Sequence, residues 1–167
     1  MMPATRQELF ALLDELAIKT TTTEHIPVFT VEDARKVHGD IKGGHCKNLF
    51  CKDEKGALWL IVALEDARID LKAAKDRIGS RRLSFGRPEL LMEILGVEPG
   101  SVTPFSLIND KGVKANVVLD AAMMKHELLN FHPLKNDAST TISSDDLMKF
   151  IKATGHEPQV VAVSDPV

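Results

Sequence analysis

No apolar run in this chain approaches the ~18 residues needed to cross a bilayer, so no membrane-spanning segment is expected. The first residues lack the apolar stretch of a secretory signal and pass straight into a helical pattern. The expectation is a cytoplasmic protein. Cysteine is scarce: Cys46 and Cys51 are the only two. Their odd separation puts them on opposite faces of a strand, so they cannot bridge each other, and they read as reduced, half-buried thiols. Two thiols do not make a zinc site, and the six histidines show no ligand spacing. The chain also lacks a His-Glu-x-x-His pair, a Gly-x-Ser-x-Gly elbow and a phosphate-cradling P-loop. These absences argue against metal-dependent hydrolysis, serine-hydrolase chemistry and ATP use. No metal or cofactor is implied. Internal repeats, low-complexity tracts and linkers are missing too, so a single domain over 1–167 is expected.

The composition that remains is ordinary for a globular chain: 44% hydrophobic, 27% charged, mean hydropathy -0.06. The net charge of -3 means that affinity for a polyanion must come from a local patch.

Along the chain, Thr5-x-x-Glu8 has the capping-box pattern and opens a helix over 5–17. Thr20 to Thr23 favours a strand. Thr30-x-x-Asp33 starts a short second helix ending at Gly39. His45 to Asp53 and Ala57 to Leu64 form a hairpin about the Asp53-Glu54-Lys55-Gly56 turn. The second strand is apolar on both faces, so the pair belongs at the centre of a sheet. Asp70 to Ile78 is an amphipathic helix, and Pro88 and Gly96 bracket another over 88–95. Phe105 to Asn109, Ala115 to Leu119 and His126 to Phe131 are strand-like. Ser143-x-x-Asp146 caps a last helix, and Pro158 to Val163 is a final strand. Strands follow strands directly in places, so this is no regular βαβ alternation. It is a mixed α/β fold, a mixed sheet with packed helices.

Three stretches carry the polar chemistry. Lys47 shares a strand face with Leu49 and Cys51, so it either snorkels to an edge or lines a pocket. Gly100 to Pro104 is a Gly-x-x-x-Pro loop with two hydroxyls, where glycine lets backbone approach a ligand and proline stiffens the exit. His132 stands where a strand gives way to the Pro133 turn, and its pKa range suits acid–base or hydrogen-bonding work. A structural histidine fits that place equally well. Asp120 ends an apolar run and reads best as a strand-end residue. From Lys72 to Arg87 there are six basic residues against Asp76 alone. Arg81 and Arg82 sit in a turn, where both can reach a phosphate backbone, and Lys52 at the end of the Lys47 strand joins them as a candidate phosphate contact. A solvated face explains the same residues.

Taken together, Gly43-x-His45-Cys46-Lys47-Asn48-Leu49-Phe50, then Gly100-Ser101-Val102-Thr103-Pro104-Phe105, then Phe131-His132-Pro133-Leu134-x-Asn136-x-x-Ser139-Thr140-Thr141-Ile142 resemble the YbaK/ProX family of prolyl-tRNA-editing deacylases. The order and spacing fit over nearly the whole chain, and the His-Pro-Leu-x-Asn form resembles the freestanding, alanine-specific branch. The resemblance implies a strongly curved central sheet with flanking helices. It implies metal-free hydrolysis of the ester joining alanine to the tRNA for proline, with the substrate's own ribose hydroxyl helping to activate water. It implies that Lys47 holds the terminal phosphate or nearby oxygens, that Gly100 positions the ester or water through its backbone, and that His132 contacts the ribose or aminoacyl group. Ser101, Thr103 and Pro104 of the same loop, with Asn136 and Thr141, would shape the substrate pocket. Partners would be the aminoacylated 3′ end and acceptor stem of tRNA, and prolyl-tRNA synthetase. Two alternatives stay open: the same fold with cysteine, serine or threonine preference, and a nucleic-acid-binding module without turnover.

Overall fold

The computed structural model describes residues 3–27 and 41–164. The short helix expected from Thr30 lies outside the described residues. Thr5 caps α1 (Arg6–Glu15) by accepting from the Glu8 amide, and the Glu8 carboxylate returns the bond to the Thr5 amide. The capping box therefore forms as its residues dictate. There follow β1 (Thr21–Glu24), β2 (Gly44–Asp53), β3 (Leu58–Leu64), α2 (Leu71–Ile78), β4 (Leu83–Phe85) and α3 (Pro88–Leu95). A 3-10 helix (Pro104–Asn109) precedes β5 (Ala115–Asp120). A second (Met123–Lys125) precedes β6 (Leu128–Phe131), β7 (Ala138–Ser143), α4 (Ser144–Ala153) and β8 (Gln159–Val161).

The strands make one sheet in the order β1-β7-β6-β2-β3-β5-β8, with β4 beside β2 off this path. Its pairs are both parallel and antiparallel, as the uneven spacing of strands and helices implied. The β2–β3 hairpin is central, and all of β3 but Leu64 is buried. Strand alternation sends the two cysteines to opposite sides. Cys46 packs with the larger core under α1, α3 and α4, which includes Leu9, Leu13, Leu95, Phe105 and Phe150. Cys51 packs with the smaller core under α2, which includes Trp59, Ile61 and Ile78. Among the described residues no helix is long and apolar enough to cross a membrane.

Two expected strands differ. Phe105 to Asn109 is a 3-10 helix. Pro104 stands at its first turn, and the Thr103 hydroxyl caps it by accepting from the Phe105 amide. A short apolar run does not distinguish a strand from a buried helical turn, whereas proline after a capping hydroxyl does. The strand expected from His126 begins only at Leu128, because the 3-10 turn at Met123–Lys125 consumes the residues before it.

Candidate active site

β2 pairs with β6 over only two positions, Gly44 with Leu129 and His45 with Asn130. Beyond them the strands part. Asn130 spans the fork: its amide donates to the Lys42 and Gly44 carbonyls, and its oxygen accepts from the Thr141 hydroxyl. A cavity of about 30 Å³ lies in the fork, lined by His45, Cys46, Asn48, Asn130, Phe131, His132 and Ser139. The Asn48 carbonyl oxygen is buried there with no hydrogen-bond partner among the described residues.

His132 follows the last residue of β6. Its Nδ1 donates to the Ala138 carbonyl at 2.9 Å, which places the lone pair of the neutral ring on Nε2. His25, just past β1, packs edge-on against it with ring centroids 6.1 Å apart. His25 Nδ1 donates to the Ile26 carbonyl at 2.7 Å, and Nε2 meets the Ser139 hydroxyl at 2.8 Å.

The β6–β7 loop that carries Asn136 is fixed from a distance. Arg6 donates to the carbonyls of Pro133 and Lys135 and to the Asp137 carboxylate, the last at 2.5 Å. That bond, ahead of the opposing effect of burial, holds the Asp137 carboxyl below its ordinary range. Leu134 in this loop adopts φ 75°, a left-handed conformation that a branched side chain takes only when its surroundings force it. Gly100 also has positive φ, +88°, and a Cβ there would lie 3.6 Å from the Asn136 amide nitrogen. The two loops therefore meet.

Of the residues expected from the sequence, the structure brings His132 to the cavity, Thr141 to Asn130, and Gly100 to Asn136. Ser101, Thr103 and Pro104 are buried, and the Thr103 and Ser106 hydroxyls are used within the loop. Lys47 faces the other side of β2 from Cys46 and Asn48, and its ammonium donates to the Ala67 carbonyl. Lys52, Arg81 and Arg82 are exposed at the far end of β2, with Lys52 roughly 23 Å along the strand from His45 at about 3.3 Å per residue.

A larger concavity lies away from the polar fork. It is an open groove of about 750 Å³ lined by residues that include Lys52, Ser84, Phe85, Arg87 and Glu93. Size does not decide between them: convergent polar groups, buried at Asn130 and Ser139 and half-buried at His45, Asn48 and His132, stand in the fork, while the groove is solvated and of mixed charge. The cavity thiol offers no nucleophile. Burial, with the Glu65 charge adding to it against an opposing bond at Asn130, pushes Cys46 up to about 12, so it stays protonated at neutral pH.

The sequence does not single out His25, Asn130, Arg6 or the bare amide of Asn48. Asn48 lies within the Gly43–Phe50 motif, and a polar residue between Cys46 and Phe50 on an otherwise apolar face is the signal that could have found it. His25 and Arg6 carry no local signal, since their partners stand more than a hundred residues away.

An aminoacyl-tRNA editing domain matches residues 25–150. The chain is 39% identical to the prolyl-tRNA editing protein ProX of Acetoanaerobium sticklandii, covering 90% of this chain and 93% of that protein. It is 40% identical to prolyl-tRNA synthetase associated domain-containing protein 1 of Mus musculus, covering 93% and 95% respectively. Its fold matches the crystal structure of a candidate trans-editing enzyme for prolyl tRNA synthetase, with TM-score 0.71 and 19% identity over 99% of this chain and all of that one. Fold and relatives thus define a tRNA-editing class. The chain belongs to the aminoacyl-tRNA editing domain family.

Proposed function

We propose that this protein is a trans-acting deacylase that hydrolyses alanine mischarged on the tRNA for proline. The observation that carries the reading is the small polar cavity at the β2–β6 fork. Its volume, about 30 Å³, suits a group about the size of one water or one methyl. The methyl side chain of alanine fits such a space, whereas the proline ring overlaps its walls, and overlap is how a small site rejects a larger residue. The relatives named for prolyl-tRNA editing support the same substrate class.

The reaction is ester hydrolysis. Water adds to the ester carbonyl, the bond to the ribose oxygen breaks, and that oxygen leaves as a hydroxyl. An aminoacyl ester is already activated, so placement and electrostatics suffice. In this reading His132 Nε2 meets the ribose or aminoacyl group. The Gly100 backbone, set against Asn136, positions the ester or water, and Ser101, Thr103 and Pro104 hold the loop in that shape. Thr141 acts through Asn130. Lys47 exchanges the Ala67 carbonyl for an oxygen of the terminal nucleotide. Lys52, Arg81 and Arg82 contact the acceptor stem, and prolyl-tRNA synthetase is a partner.

The test is a deacylation panel with one tRNA for proline charged separately with alanine, proline, cysteine and serine. The expected result is loss of alanine and retention of proline. Loss of cysteine or serine instead would move the specificity. Binding without release would make the protein a tRNA-binding module.

A further inference from the structure

His25 and Ser139 have no role in the reading proposed for the site, yet Ser139 lines the same cavity. The pair has the parts of a proton-transfer dyad. Donation from His25 Nδ1 to the Ile26 carbonyl fixes one tautomer, so in the neutral ring Nε2 carries the lone pair. Nε2 lies 2.8 Å from Ser139 Oγ, and with Nδ1 as the donor nitrogen the hydroxyl must give its hydrogen to the ring. The oxygen's lone pairs are then left for whatever occupies the cavity. This is a hydroxyl, a base and a group that orients the base, in reach of one another. Both partners are anchored independently of any ligand. Ser139 pairs with Thr23 across β1 and β7, and the His25 amide donates to the Asp137 carbonyl.

We propose that Ser139 and His25 relay the proton of the attacking water. This rests on the deacylase reading. The water oxygen forms its bond to the ester carbonyl carbon as one of its protons passes to Ser139 Oγ. The Ser139 hydroxyl proton passes to His25 Nε2. The imidazolium so formed keeps its Nδ1 bond to the Ile26 carbonyl. When the ester bond to the ribose breaks, the leaving oxygen takes a proton back through Ser139, and the pair returns to its starting state. No atom of the protein is consumed, and no acyl group is attached to it. Ser139 is the catalytic residue in contact with water, and His25 acts through it. The titratable groups around the pair are His132, with its ring 6.1 Å away, His45 and Cys46 on the cavity wall, neighbouring Glu24, and Asp137, whose carboxylate is held by Arg6.

The experiment measures single-turnover deacylation of alanyl-tRNA for proline from pH 5 to 9 with the parent, His25→Gln, Ser139→Ala and Ser139→Thr, each checked for fold by circular dichroism. Parent activity comes first: if the parent removes no alanine, the alanine-deacylase reading itself fails. With an active parent, the expected result is a loss of about a hundredfold or more in His25→Gln and Ser139→Ala. The acidic limb of the pH profile should vanish in His25→Gln, and Ser139→Thr, which keeps the hydroxyl, should recover most of the rate. Parent-like rates in folded His25→Gln and Ser139→Ala would overturn the relay alone. So would an acid limb that persists in His25→Gln, or an alanyl ester on Ser139 in quenched mixtures, which would make the hydroxyl a nucleophile.

Discussion

At its first residues β2 meets β6 for two register pairs, and the fork closes on imidazoles, amides and a hydroxyl, with no lysine or arginine in the cavity lining among the described residues. At its last residues the same strand ends in Lys52 and Asp53 beside an open, charged groove. The first end is organised by hydrogen bonds between distant segments: Arg6 to the 133–137 loop, His25 to Ser139, Asn130 to Thr141. The second is organised locally by Asp53. Its carboxylate accepts from the amides of Lys55, Ala57 and Arg81 and from the Trp59 ring nitrogen. One end is small and lined by neutral polar groups, and the other is open, with Asp53, Glu54, Glu89 and Glu93 set against Lys52 and Arg87. On this view chemistry and affinity are separable, and substitutions at the two ends should show it.

The largest effect is expected at the fork. His132→Ala should lower the single-turnover deacylation rate by about a hundredfold or more, with tRNA affinity little changed. An equal fall in rate and affinity, from the same titration, would place His132 in tRNA holding instead.

Next comes the far end's own scaffold. Asp53→Ala should cost about 2–3 kcal/mol in urea unfolding, since it strips the buried Trp59 ring nitrogen and three part-buried amides of their acceptor. Burial opposes the charged form of Asp53, but these donors outweigh it and hold its pKa below the ordinary 3.8. A folded-state pKa below the unfolded one stabilises the fold above about pH 4 and loses that stabilisation as pH falls through the folded value. Acid unfolding of the parent should therefore be steeper than that of the variant. Deacylation by the folded variant at saturating tRNA should stay near the parent rate.

Gly100→Ala should be milder in stability, about 1 kcal/mol, because alanine is strained at φ +88°. Its rate should fall more than its stability suggests if the approach to Asn136 shapes the site. A rate unchanged in the folded variant would separate that loop from the chemistry.

The smallest effect on rate belongs to Arg81→Ala with Arg82→Ala. tRNA affinity should weaken several-fold. The log-log salt slope should become shallower by about one unit for each phosphate that an arginine no longer neutralises. The single-turnover rate at saturation should hold. A parent-like slope would make this turn a solvated face.

The sequence was most legible where cause and effect are neighbours. Thr5 with Glu8, Ser143 with Asp146, and Pro88 with Gly96 mark helix ends through local bonds within a turn or two, and each marks the end observed. The hairpin at Asp53 to Gly56 and the burial of β3 follow from local chemistry in the same way. His132 was visible as a histidine at a strand end. Its partner Ala138 was not, because a backbone acceptor leaves no trace in residue type. Lys47 was read from alternation as either snorkelling or lining a pocket. Its bond to the Ala67 carbonyl depends on how the turn after β3 folds back, which alternation does not encode. The fork itself depends on where β6 stops pairing with β2, a property of two strands some eighty residues apart.

That separation bears on the order in which the molecule is made. Arg6 reaches its loop across 127 residues, and His25 reaches Ser139 across 114. Bonds that close such long loops form late and slowly, because chain entropy must be lost before they are rewarded. During synthesis β2, β3, β4 and β5 can pair with one another before β6 and β7 emerge. The hairpin and its neighbours can then stand as a preformed half while the fork does not yet exist. A nascent chain should pair its central strands first and complete the fork only when β7 docks against β1.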